Sequence, residues 1–308
     1  MSKQKIFLQS CHASLEFDHA RLLTDLGFDV HGEFDIGSNQ RPKIPGVTDR
    51  NSNRDEFDII ILHQVPNYID VMRDLLQKGK RVVLVAFGQT DTWQFEAMSK
   101  LCNEFRHAYV AAYAAKEFRR CWEYGVKEGK LRLIRFAKYL TDFPDWIGDE
   151  PYVYASGNDI HNRGHGCGWD KFVEVRAKCS VVLSGKNTQE VGGLGEIPES
   201  KMRELMQRAA GFISFGTMPA PIVLTQIEAM CAGCPLVVHD NKMGLREDEL
   251  DILIEDSTDD VARQATRLIN DQSFRNERHL SALESRKKFD VNVIGPMWVE
   301  LLKEVANA

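Results

Sequence analysis

The stretch 209–238, AAGFISFGTMPAPIVLTQIEAMCAGCPLVV, concentrates the residues most able to do chemistry. An apolar run ends at Phe215 and a loop of Gly, Thr, Met and Pro follows. The spacing predicts a helix from Pro221, a residue suited to the first helical position. The loop and helix start would offer backbone N–H groups and a positive dipole end, a place for phosphate. Glu228 falls two turns into that helix, where a carboxylate can accept hydrogen bonds from vicinal sugar hydroxyls. A solvated helix position is the plainer account of the same residue. In 155–170, ASGNDIHNRGHGCGWD, the group His161, His165 and Cys167 suggests zinc, but no second ligand pair accompanies it. In 184–195, SGKNTQEVGGLG, glycines surround Lys186 without the Gly-Lys-Ser/Thr of a P-loop. That stretch is either a phosphate cradle or a surface loop. His63 follows an apolar run and is placed to polarise a hydroxyl or bond a sugar; a structural buried His is the alternative.

Each of these groups follows a run of strand character, so a sheet must present them. In the first half, strands are predicted over 5–8, 57–62, 81–87, 108–112 and 131–136. Helices are predicted over 17–26, 68–77 and 116–124. The segment 141–151, TDFPDWIGDEP, reads as a linker. Beyond it, strands at 152–155, 180–183, 211–215, 235–238 and 251–254 alternate with helices at 169–177, 200–209 and 221–232. Two long helices follow within 258–289, and an amphipathic stretch covers 295–305. Strand–helix alternation implies parallel, doubly wound sheets, which bind ligands beyond the carboxyl ends of their strands. His12, His63 with Gln64, and Gln89 lie at such ends in the first half. The polar stretch 35–56, containing RPKIPG, is long enough for an active-site loop.

The chain has 308 residues, 43% hydrophobic and 27% charged, as in a globular protein of two domains. No run is long enough to span a membrane, and no signal peptide is evident. Seven cysteines at irregular spacing fit reduced thiols in a cytoplasm. A net charge of −6 disfavours a protein that coats nucleic acid. The run 116–138 nevertheless holds eight Lys/Arg against three Glu. It is either a solvated helix and strand edge or an electropositive rim for an anionic acceptor.

The block IEAMCAGCPLVV resembles the nucleotide-sugar motif of retaining GT-B glycosyltransferases, which runs Glu, seven residues, Glu, then Ala-Met-Ala-x-Gly-x-Pro-Val-Val. The resemblance implies an α/β fold of two Rossmann-like domains facing across a cleft. The acceptor domain would cover 1–140 and the donor domain 141–292, with a helix at 293–308 returning to the first. It implies that Glu228 binds the nucleotide ribose, that Arg163, with Asn158 at the base of its loop, contacts the donor diphosphate, and that Lys186 on the next loop does the same. The first motif Glu falls at Ala220, so its contact with the donor sugar has no counterpart side chain. The backbone of Pro219, Pro221, Ile222 and Val223 is left to act there. RPxIPG, DIII, GQ-T, LIRFAKYLTDFPDWIGDE and N-R-G-x-G-C-G-W-D are together similar to small glycosyltransferases of phages and bacteria. Some phage enzymes of this class sugar-modify hydroxymethylated DNA bases, so DNA joins glycans and small alcohols as an acceptor. The expected donor is a nucleotide sugar, a UDP-sugar first, with no tightly bound cofactor or metal. The expected setting is the cytoplasm of a bacterium or a phage-infected host. A nucleotide-sugar epimerase and a non-catalytic nucleotide-sugar or DNA-binding protein are the other classes this pattern fits.

Overall fold

The computed structural model describes residues 4–10, 13–33, 47–49, 53–63, 67–88 and 91–308. The chain divides into two compact units, Met1–Ala137 with Val291–Ala308, and Lys138–Asp290.

The first unit comprises β1 (Lys5–Gln9), α1 (Ala13–Asp25), β2 (Asp29–Glu33), β3 (Thr48–Asp49), β4 (Ile59–His63), α2 (Tyr68–Gln77), β5 (Arg81–Ala86), α3 (Thr92–Glu104), β6 (Ala108–Ala112), α4 (Ala115–Glu123) and β7 (Leu131–Leu133). Its sheet is parallel in the order β3-β2-β1-β4-β5-β6-β7. Every residue of β4 and β6 is buried, as apolar strands covered on both faces must be. The direction of winding reverses between β1 and β4, and a doubly wound sheet opens its crevice at such a switch point.

The second unit comprises β8 (Glu150–Ser156), α5 (Trp169–Arg176), β9 (Val181–Ser184), α6 (Glu199–Arg208), β10 (Ala209–Ser214), α7 (Leu224–Cys231), β11 (Leu236–His239), β12 (Leu253–Glu255), α8 (Thr258–Asn270) and α9 (Gln272–Arg286). Its parallel sheet runs β12-β11-β10-β8-β9, with the switch point between β8 and β10. The closing helix α10 (Val291–Asn307) buries Ile294, Trp298, Leu301, Leu302 and Val305 in the core of the first unit. Arg132 clamps it with two bonds to Glu304, at 2.8 and 2.7 Å.

Several elements differ from the sequence reading. β2, DVHGE, mixes polar residues and a glycine near the sheet edge and lacks an apolar run. α3 was hidden by polar residues but carries its own start signal, with Gln94 Oε1 accepting the Asp91 N–H at 2.7 Å. The expected linker 141–151 is bound into the second unit. The N–H groups of Ile147 and Gly148 donate to Gln207 O, Trp146 Nε1 donates to Ala209 O, and Arg208 pairs with Asp149. Pro and Gly there shape a docked segment, and the chain crosses between units at Ala137–Lys138.

Candidate functional site

The switch point of the second sheet is built from the loops that follow β8, β9 and β10. Two glycines let these loops close on one another. Gly185 sits at φ +133°, and a Cβ there would lie 2.3 Å from Gly157 O. Gly168 sits at φ +68°, and a Cβ would lie 2.5 Å from that of Phe215. No L side chain fits either place without displacing its neighbour. Across the first closure, Asn158 Oδ1 accepts the Lys186 N–H at 2.9 Å, and the Asp159 N–H donates to Lys186 O at 2.9 Å. Asp159 O in turn accepts the Arg163 N–H at 2.9 Å, so Asp159 ties together the backbones that carry both candidate phosphate cations. Hydrogen bonds from Asn187 and then Asn162 hold the Asp159 carboxyl below its ordinary pKa.

The Arg163 and Lys186 side chains are exposed, and neither has a hydrogen-bonded partner among the described residues. Asn158 serves here as the bracket for Lys186. His161 Nε2 meets Glu190 at 3.2 Å, and no group of His, Cys, Asp or Glu among the described residues is arranged to hold a metal. Burial pushes the Cys234 thiol far up and that of Cys102 to about 12, which leaves them poor nucleophiles.

The β10 loop is drawn toward the β8 loop by Met218 N–H, which donates to Gly166 O at 2.8 Å. It then turns tightly, with Ala220 N–H donating to Thr217 O at 2.7 Å. The helix beyond begins at Leu224, three residues later than the sequence suggested. Pro221 and Ile222 lie buried in the turn before it, and Val223 is its N-cap. The reason is a side chain that the sequence reading missed. Gln226 Oε1 accepts the Val223 N–H at 3.0 Å, and its Nε2 donates to Ser214 Oγ at 2.9 Å. The signal was present, since Gln three residues after an N-cap is a capping pattern. Gln226 thereby fixes the start of α7 against the end of β10.

Glu228 lies just over one turn into α7 and is 6% exposed, so the solvated-residue account fails. Its Oε1 accepts Lys138 Nζ at 2.9 Å, with side-chain exposures of 5% for Lys138 and 8% for Glu228. Its Oε2 carries no hydrogen bond among the described residues. Tyr154 of β8 stands near enough for the Glu228 charge to add to burial in raising the phenol pKa. Lys138 is the second functional candidate that sequence reasoning missed, having been counted only within the basic run.

In the first unit, the ends of β1 and β4 hold His63. It is fully buried, with Nδ1 2.9 Å from Ser10 Oγ and Nε2 3.0 Å from His19 Nδ1. Both ring nitrogens of His63 are thus engaged within the fold. His12, Gln64, Gln89 and the RPKIPG segment lie outside the described residues. In the basic run 116–138, Arg120 stacks on Phe95, Lys130 on Tyr109, Arg132 pairs with Glu304, and Lys138 is buried against Glu228. No helix among the described residues is long and apolar enough to cross a membrane.

No protein-family model matches the chain, and no curated protein matches it by sequence. Solved structures do match it over nearly the full length. Anabaena Alr3699/HepE in complex with UDP-glucose aligns at TM-score 0.76 and 13% identity, over 97% of this chain and 99% of that one. Sucrose-phosphate synthase (tll1590) from Thermosynechococcus elongatus aligns at 0.75 and 15%, over 99% and 100%. AviGT4, a glycosyltransferase involved in avilamycin A biosynthesis, aligns at 0.64 and 13%, over 99% of each chain. The fold is therefore that of the GT-B glycosyltransferases, two parallel-sheet α/β domains.

Proposed function

We propose that this chain is a glycosyltransferase that moves a sugar from a nucleotide sugar to an acceptor hydroxyl. One observation carries the reading. At the switch point of the second sheet, two exposed cations and the start of α7 share a loop cluster with a buried carboxylate that has one oxygen to spare. A nucleoside diphosphate needs that complement: positive charge and N–H donors for the phosphates, and an acceptor for the ribose hydroxyls. Full-length likeness to a fold solved with UDP-glucose supports the same donor class.

In the proposed reaction the acceptor oxygen bonds to the anomeric carbon as the bond to the diphosphate breaks, and the hydroxyl's proton passes to an oxygen of the departing diphosphate. Arg163, Lys186 and the N–H groups at the start of α7 stabilise the charge on the leaving diphosphate. Glu228 accepts from the ribose and positions the donor, with no proton transfer. Ala220 offers no side-chain contact to the sugar, so backbone groups from Pro219 to Val223 line that side. A UDP-sugar is the first donor to try. A DNA acceptor rests on phage resemblance and on a basic run with four of its cations already engaged, so a glycan or small alcohol is the better first acceptor.

The test is product analysis by mass spectrometry, with UDP-glucose and other nucleotide sugars, with and without acceptors that include hydroxymethylated duplex DNA. Acceptor-dependent release of nucleoside diphosphate together with a glycosylated product supports the proposal. Free nucleotide without any acceptor would indicate an epimerase. Ligand-induced stabilisation of about 2.7 kcal/mol at ~100 times Kd, with no turnover under any condition, would indicate a binding protein.

A further inference from the structure

Glu228 does not stand alone, and the residue beside it has no assigned role. Lys138 is the first residue of the second unit, and its backbone is fastened where the chain returns. Its N–H donates to Phe289 O at 2.7 Å, and it forms a parallel bridge with Asp290. From that anchored backbone its side chain runs through the interior to Glu228 Oε1. A long, flexible lysine chain loses considerable rotamer entropy when buried this way. A buried ion pair is also weak evidence for stability, since apolar residues of similar volume often serve as well. The arrangement nevertheless has a consequence for the carboxylate. One oxygen is held and the other is left without a hydrogen bond among the described residues. A carboxylate gripped at a single oxygen loses much of its rotational freedom, so the grip biases the direction in which its second oxygen accepts.

We infer that Lys138 is a positioning residue for the donor: it holds the Glu228 carboxylate so that the protein distinguishes a ribonucleotide from a 2′-deoxyribonucleotide. This role rests on the reading of Glu228 as the ribose acceptor. Lys138 touches no substrate and acts through Glu228. Lys138→Arg keeps a cation that can grip the carboxylate, whereas Lys138→Met keeps the stem and leaves the carboxylate buried without its counter-ion.

The experiment measures calorimetric Kd values of the full-length chain for UDP, ADP, GDP and CDP, each beside its 2′-deoxy counterpart. Wild type is expected to prefer the ribo form of its best nucleotide by tenfold or more, the loss expected for one hydrogen bond to a charged group. Folded Lys138→Met is expected to bring that preference to threefold or less. With the nucleotide sugar, its KM should rise far more than its kcat falls. Lys138→Arg should restore most of the preference. Removing Lys138 in a Glu228→Gln background should change the ribose preference no further than Glu228→Gln alone does, because Lys138 acts through that carboxylate. If Lys138→Met does not fold, Lys138→Gln, which removes the charge and shortens the reach to Glu228, is read in its place, with the same loss of preference expected. An unchanged preference in Lys138→Met, or in Lys138→Gln where that variant is read instead, overturns the role of Lys138 and leaves the donor reading standing. A wild type that binds none of the nucleotides overturns the donor reading and this role with it.

Discussion

The two sheets bring polar side chains to their switch points and treat them in opposite ways. Between β1 and β4, Ser10, His63 and His19 form a buried chain in which each group bonds the next. His19 Nε2 has no partner among the described residues, and its ring lines a cavity of about 20 Å³ with Asp18, Arg135 and Trp298. Between β8 and β10, and on the β9 loop beside them, Arg163 and Lys186 project outward and Glu228 keeps an oxygen without a hydrogen bond. Polar capacity spent inside the fold serves structure, and capacity left over is available to a ligand. Among the described residues, the first unit's switch point thus turns its polar groups mostly on one another, and the second leaves three of them to a ligand.

The largest effect is expected from breaking the pair beneath the second unit's switch point. Lys138→Met leaves a buried carboxylate uncompensated and should cost about 3–5 kcal/mol, read from urea denaturation. Next comes the first unit's switch point. Burial holds the His19 pKa near 3 against an ordinary 6.5. Below about pH 6.5 the unfolded chain binds a proton that the folded chain refuses, so stability is complete above that pH. It should fall as the pH drops toward 3, by up to about 1.4 kcal/mol per unit from this residue. Denaturation midpoints between pH 7 and 4.5 check this, and His19→Gln should flatten the slope. Arg163→Ala should then weaken nucleotide-sugar binding by about 1.5–3 kcal/mol, and Lys186→Ala by about 1–2, with little change in Tm. The smallest effect sharpens the contrast from the other side. Ser10→Ala should cost about 1 kcal/mol of stability and leave donor Kd unchanged. A loss of donor affinity there, matching that of Arg163→Ala, would erase the distinction between the two switch points.

The sequence made the buried strands legible because parallel strands covered on both faces are continuous apolar runs, as in IIIL and RVVLVAF. It made the loop after β10 legible because Gly, Pro and Ala around Glu228 form a local pattern. It could not make β2 legible, since DVHGE has no apolar run and depends on pairing with β1. The start of α7 was misplaced because Pro221 fits a helix start by local propensity, whereas Gln226 and Ser214 decide the matter across twelve positions. Lys138 was illegible as a site residue for a stronger reason. Its partner lies ninety positions away, and nothing in RFAKYL marks a lysine that will be buried. His63 was legible as a buried histidine at a strand end, but not its partners, which lie 44 and 53 positions away.

The central claim, that the second unit's switch point receives the donor, is tested most directly by hydrogen–deuterium exchange of the full-length chain with and without a saturating nucleotide sugar. Backbone N–H groups that meet phosphates, and loops ordered by them, exchange more slowly when the ligand is bound. Slower exchange is predicted across 157–168, 185–195 and 216–228, and lost when Glu228→Ala is titrated with the same ligand. Unchanged exchange in all three segments of wild type, under a ligand whose binding calorimetry has established, would contradict the account.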